Sequence, residues 1–126
     1  MVRVLVVDDN ADMRQSLGLL LASSGYDAEA ARDGQQAIEV HRRRPVQVLI
    51  TDIYMPLHDG LETIQTFRRE FPGVKIVAMS GGGQATKTTY LGVASDIGAD
   101  ATLEKPFAFD ALLGVLGRLL RPSEFS

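Results

Sequence analysis

The 126 residues include no cysteine and no tryptophan, and aromatic residues make up only 6% of the chain. Without a thiol, cysteine nucleophiles, thiolate metal sites and disulfide scaffolds are all excluded. The 13 basic residues form no cluster denser than Arg42-Arg43-Arg44. Neutralising a phosphate backbone needs an extended basic face, so direct nucleic-acid binding is not expected, and the triple Arg reads as a solvated helix end. Long apolar runs are missing too: Val4 to Val7 and Leu17 to Ala22 fall far short of the roughly 20 residues that cross a bilayer. The N-terminus carries no signal-peptide pattern. A cytoplasmic chain without membrane association is the expectation.

What is present is enough apolar material for a core. Apolar residues make up 45% of the chain and charged ones 23%, with 16 acids against 13 bases and a net charge of −3. That balance excludes intrinsic disorder and bounds the chain to one globular domain, placed at 1–121, followed by a short polar tail at 122–126. Short β-rich runs occur at Arg3 to Val7, Asp27 to Ala31, Val46 to Thr51, Lys75 to Met79 and Ala101 to Leu103. Between and after them, apolar residues recur at helical spacing: Met13, Leu17, Leu20 and Leu21; Leu61, Ile64 and Phe71; Tyr90, Val93, Ala94 and Ile97; Phe109, Leu112, Leu113, Leu116 and Leu120. A further helix fits Gly34 to Arg44, closed by Pro45, with Ala37, Ile38 and His41 on one side. Asn10 is a candidate N-cap, and Gly25 and Gly98 are candidate helix stops.

Strand-helix alternation five times over predicts an α/β fold, (βα)5, with a doubly wound parallel five-stranded sheet between two helical layers. The first, third and fourth strands are continuously apolar and belong in the middle, whereas Asp27-Ala-Glu-Ala-Ala31 alternates and belongs at an edge. If that edge strand is the second, the order is 2-1-3-4-5.

In such a sheet the functional crevice lies beyond the carboxyl ends of the strands. The first strand delivers Asp8 and Asp9 there, the third Asp52, the fourth Ser80 followed by three glycines, and the fifth Lys105. Three carboxylates sharing a small pocket repel one another unless a cation joins them. An all-oxygen set with no His or Cys nearby suits Mg2+ or Mn2+. Lys105 can contribute a point charge, and the Ser80 hydroxyl with the Gly81 amide a pair of donors, to a carboxylate or phosphoryl oxygen. Taken singly, each of these is ordinary punctuation of a turn or a helix start. Jointly they describe phosphoryl transfer to a carboxylate, which forms an acyl phosphate.

At these residues the chain resembles the response-regulator receiver domains of two-component signalling, chemotaxis-type regulators among them. The resemblance runs from Val2 to about Leu120 and rests on Val6-Val-Asp-Asp-Asn10, Asp52-Ile-Tyr-Met-Pro56, Asp59-Gly60, Ser80-Gly81, Gly98-Ala-Asp100 and Lys105-Pro-Phe107. It implies a flavodoxin-like three-layer sandwich of order 2-1-3-4-5. It further implies that Asp52 is the phosphoacceptor, that Asp8, Asp9, Asp52 and the Tyr54 carbonyl hold Mg2+, that Ser80 is the switch hydroxyl and that Lys105 contacts the phosphoryl group. The implied donor is a sensor histidine kinase or histidine phosphotransfer protein. The output is a downstream protein target or a phosphorylation-dependent homodimer, reached through the surface of the fourth helix, fifth strand and fifth helix. Such a domain is a phosphoacceptor rather than an enzyme, although it assists its own phosphorylation and dephosphorylation.

Two features depart from that pattern. Thr102 stands where the family commonly has an aromatic switch residue, and the stretch from Ser80 to Gly98 is longer and richer in glycine and threonine. An order change in the fourth-helix region is the expected substitute for the aromatic. His58 is expected to be an exposed loop residue, His41 a surface or boundary residue, and the Tyr54 side chain to overhang the site or pack on the surface. A dehalogenase-like phosphohydrolase would need an Asp where Tyr54 stands, and a flavin carrier would not put Asp8 and Asp9 against its phosphate. The remaining alternative is a receiver-like interaction module that is never phosphorylated.

Overall fold

A computed structural model describes residues 1–53, 60–80 and 92–121. In chain order the elements are β1 (Arg3–Val7), α1 (Ala11–Ser23), β2 (Asp27–Ala31), α2 (Gly34–Arg43), β3 (Val48–Asp52), α3 (Gly60–Glu70), β4 (Lys75–Ser80), α4 (the helical residues 92–97), β5 (Ala101–Glu104) and α5 (Phe109–Leu120). All strand pairs are parallel and the order is β2-β1-β3-β4-β5. The doubly wound arrangement expected from the sequence is therefore the one observed, with the alternating β2 at one edge.

Side chains alternate across a strand, so each central strand feeds two cores. Val4, Val6, Val48, Ile50, Val77 and Met79 face Leu17 and Leu21 of α1 and Leu112, Val115 and Leu116 of α5. Leu5, Val7, Leu49, Ile76 and Ala78 face the other way, onto Ala37 and Val40 of α2, Ile64 and Phe67 of α3 and Ala94 of α4. Burying each large apolar side chain contributes about 1.5–3 kcal/mol, and the continuous apolar runs of β1, β3 and β4 follow from burial on both faces.

The helix ends are set by the residues expected and by one more. Asn10 Oδ1 accepts the Met13 N–H at 2.9 Å, and Asp33 Oδ1 accepts the Gln36 N–H at 2.8 Å. Gly25 and Gly98 take φ of +94° and +130°, a region in which a side chain is strained. Boundaries shift at β3, which starts at Val48 rather than Val46 and ends on Asp52. The Val46 amide is drawn out of the ladder by His41, whose Nδ1 accepts it at 3.1 Å.

That contact corrects the expectation for His41. Its ring is only 8% exposed and packs against Phe71 and Phe67, with centroids 4.3 and 5.5 Å away, so it is an interior residue joining the end of α2 to the approach to β3. Arg42 and Arg44 do stand at a solvated helix end, paired with Glu70 at 3.0 Å and Asp27 at 3.4 Å.

Candidate functional site

Parallel pairing brings the carboxyl ends of β1, β3, β4 and β5 to one edge of the sheet. Asp52 is the last residue of β3 and lies opposite Met79, which puts it diagonally beside Ser80 at the end of β4. Asp8 follows β1 directly, and its N–H still bonds to the Ala31 carbonyl at 3.1 Å. Ser80 lies opposite Glu104, and the next residue, Lys105, donates its backbone N–H to the Ser80 carbonyl at 2.7 Å. Gly60 opens α3 directly against the backbone of Asp52 and Ile53. A Cβ there would collide with the Asp52 carbonyl oxygen and the Ile53 Cα, which accounts for a glycine at that position.

One carboxylate oxygen from each of Asp8, Asp9 and Asp52 falls within 4.8 Å of the others. Asp8 is 1% exposed and Asp52 7%, while Asp9 stands open to solvent. Lys105 Nζ reaches Asp8 Oδ2 at 2.8 Å and Asp52 Oδ2 at 3.3 Å. Burial alone would push the Lys105 ammonium down. Its hydrogen bond to Asp8 and the charges of Asp52 and Asp8 outweigh that, and they hold its pKa above the ordinary value. The ammonium is thus fixed as a cation between two carboxylates.

A second irregularity sits next to this cluster. The Ser80 hydroxyl is fully buried and has no hydrogen-bond partner among the described residues. A buried unpaired hydroxyl costs about 1–3 kcal/mol and marks a place where a ligand can complete the bonding. An all-oxygen acid set with a spare donor at its edge fits a hard divalent cation together with an anionic oxygen ligand. The expected residues Asp8, Asp9, Asp52, Ser80 and Lys105 all arrive at this one edge of the sheet. Tyr54, Met55, Pro56, His58, Asp59, the three glycines from Gly81 to Gly83, the stretch through Tyr90 and the tail at 122–126 lie outside the described residues.

Two contacts were not signalled by the sequence. Arg14, in the first turns of α1, donates from Nη1 to the Asp8 carbonyl at 2.8 Å. At the opposite end of the sheet, Arg68 of α3 bonds the Gly98 carbonyl at 2.5 Å and Asp100 Oδ2 at 2.7 Å, while Asp100 Oδ2 also accepts the Ile76 N–H at 2.8 Å. Gly98-Ala-Asp100 is therefore a clasp between α3, β4 and the start of β5, remote from the acids. Thr102 is exposed on β5, opposite Ala78 of β4.

Comparison with known proteins agrees with this geometry. Residues 4–116 match the family model of the response regulator receiver domain. The chain is 35% identical over 120 residues to the response regulator MprA of Mycobacterium leprae, a match covering 95% of this chain and 51% of that protein. It thus spans about half the length of the curated relatives it matches. Among solved structures, the receiver domain of NtrX from Brucella abortus superposes with a TM-score of 0.87 at 30% identity, covering 95% of this chain and 99% of that one. The chemotaxis protein CheY4 of Vibrio cholerae gives 0.84 at 30% identity, over 95% and 99% of the two chains.

Proposed function

Since the chain belongs to the response regulator receiver domain family, we propose that it accepts a phosphoryl group from a histidine kinase or histidine phosphotransfer protein onto Asp52, with Mg2+ bound at Asp8, Asp9 and Asp52. The observation that carries this reading is the meeting of those three carboxylates, with Lys105 Nζ 3.3 Å from Asp52. Bound there, Mg2+ or Mn2+ would neutralise the acids and the equatorial oxygens of an incoming phosphoryl group. The resemblance adds the Tyr54 carbonyl to the ligand set.

The chain's own residues would then divide the work. An Asp52 oxygen forms the new O–P bond while the donor's P–N bond breaks and its electron pair returns to the imidazole. Lys105, already held as a cation beside Asp52, compensates charge on the transferred group, as preorganised cations do in such sites. The Ser80 hydroxyl, without a partner among the described residues, gains one in a phosphoryl oxygen. Asp8 positions Lys105 in the unphosphorylated chain.

Output would pass through α4, β5 and α5, where Val93 is 38% and Phe109 50% exposed and Thr102 faces solvent, to a downstream protein or a second copy. The domain is a signalling element of a two-component system, and we place it in the cytoplasm. Among the described residues no helix is long and apolar enough to cross a membrane.

Intact mass after incubation with a small phosphodonor and Mg2+ tests the reading. One phosphoryl increment is expected for the wild type, and none for Asp52→Asn or in chelator. No increment in the wild type, even with histidine kinases supplied, would favour an interaction module that is never phosphorylated.

A further inference from the structure

Asp8 and Asp9 reach the site by different means. Every polar group of Asp8 is held: Oδ1 by the Asn10 N–H at 2.9 Å, Oδ2 by Lys105 at 2.8 Å, and the backbone N–H by the Ala31 carbonyl. The exposed Asp9 side chain has no hydrogen bond or ion pair among the described residues, yet one of its oxygens lies within 4.8 Å of those of Asp8 and Asp52. Successive side chains along a strand point to opposite faces. Two consecutive acids can serve one ligand only if the chain turns between them and that turn is held.

The peptide plane joining the two residues contains the Asp8 carbonyl and the Asp9 N–H, so whatever anchors that carbonyl fixes the plane from which Asp9 departs. The anchor is Arg14, with Nη1 2.8 Å from the Asp8 oxygen. Its half-buried side chain leans back toward the start of α1, the direction helical side chains favour. Helix stability does not explain a cation there, because the first turns of a helix favour negative charge. Nor does Arg14 form an ion pair with a carboxylate among the described residues; a charged donor is committed to a backbone oxygen beside the acid cluster.

We propose that Arg14 is a positioning residue for the metal site: by holding the Asp8 carbonyl it fixes the Asp8–Asp9 peptide plane and aims the Asp9 carboxylate at the oxygens of Asp8 and Asp52. The inference rests on the receiver reading above and assigns to a residue outside the acid cluster the orientation of its one exposed ligand. Arg14 acts on Asp9, since Asp8 has bonds of its own.

Mn2+ titration of the unphosphorylated chain, read by the electron paramagnetic resonance of the free ion and by Mg2+ competition, tests this without reference to phosphorylation. Arg14→Met keeps the apolar stem and removes the donor. It is expected to weaken binding about tenfold, within the range found for groups that orient metal ligands, and Arg14→Lys to recover part of the loss. In an Asp9→Asn background, Arg14→Met is expected to cause no further loss. Unchanged affinity in Arg14→Met, or a full further tenfold loss in the double variant, overturns the proposal. Thermal melts in chelator verify that each variant folds, and a purely structural role would lower them without moving metal affinity. If Arg14→Met does not fold, Arg14→Lys with affinity equal to wild type and unaltered by Asp9→Asn overturns it instead. A wild-type chain that binds neither Mn2+ nor Mg2+ overturns the receiver reading as well, which separates the two failures.

Discussion

The two ends of the sheet solve opposite problems. At the amino ends of the strands, buried polar groups are matched. Arg3, 8% exposed, bonds Asp27 at 2.9 Å and the Pro45 carbonyl at 3.2 Å, Arg68 is saturated by Gly98, Asp100 and the turn after α3, and His41 receives the Val46 amide. At the carboxyl ends, three carboxylates lie together, two of them sharing one lysine, and a buried hydroxyl has no partner among the described residues. One end is built to be finished on folding. The other gathers like charges beside a hydroxyl with no partner among the described residues, and such a local conflict within an otherwise consistent fold is the physical mark of a site that a ligand completes.

If that contrast is real, deleting a charge has opposite effects at the two ends. Arg3→Ala takes the closest partner from Asp27, which keeps Arg44, and the donor from two backbone carbonyls, and is expected to destabilise by about 1–3 kcal/mol. Asp9→Asn in chelator is expected to stabilise by about 0.5–1 kcal/mol, because it relieves like-charge repulsion at a separation where water screens most of the interaction. Urea unfolding of both variants measures this. A loss of stability in Asp9→Asn comparable to that of Arg3→Ala would end the comparison.

Adding the cation sharpens it. At a Mg2+ concentration ten times Kd, binding is expected to stabilise the wild type by about 1.4 kcal/mol through mass action alone. That increment should fall to about 0.4 kcal/mol or less in Asp9→Asn, as for a tenfold or greater loss of affinity, and persist in Arg3→Ala. Melting curves with and without Mg2+ would show it, and an increment retained in full in Asp9→Asn would place the ion elsewhere.

The two ends also differ in how far they were legible beforehand. The acidic end could be read from sequence because topology does the work: once Val4 to Val7, the run ending in Thr51, Lys75 to Met79 and Ala101 to Leu103 are parallel strands, whatever follows them must meet. Asp8, Asp9, Asp52, Ser80 and Lys105 needed no further information. What escaped was the means of support. Arg14 reaches back six residues to a carbonyl, a contact with no periodic signature, and the lack of a Ser80 partner among the described residues is a matter of tertiary packing. At the stable end the elements were readable but their fastenings were not. Arg68 spans 30 residues to Gly98, and Arg3 spans 24 to Asp27. His41 was expected at the surface or boundary, and Phe67 and Phe71, which enclose it, come from α3 and the turn beyond rather than from its own helix.

That enclosure gives the smallest of the expected effects and one confined to the stable end. Burial lowers the His41 pKa from its ordinary 6.5. The ring must also stay neutral at Nδ1 to accept the Val46 amide, so protonation removes that bond as well as placing charge among aromatic rings. The nearest ion pair across α2 and α3 joins Arg42 and Glu70 at 3.0 Å. A group whose folded pKa is depressed below its unfolded value binds more protons when unfolded, so stability rises with pH across that interval. The His41 contribution should therefore be complete above about pH 6.5 and decline as the pH falls toward the depressed folded value. Urea midpoints of wild type and His41→Gln between about pH 7.5 and about pH 5.5 isolate the term, since glutamine can accept the same amide and does not titrate there. The wild type should lose stability over that interval while His41→Gln stays level. Parallel curves would mean that the ring is protonated as readily in the folded chain as in the unfolded one, and that the amino end of the sheet is less completely closed than the packing of Phe67 and Phe71 implies.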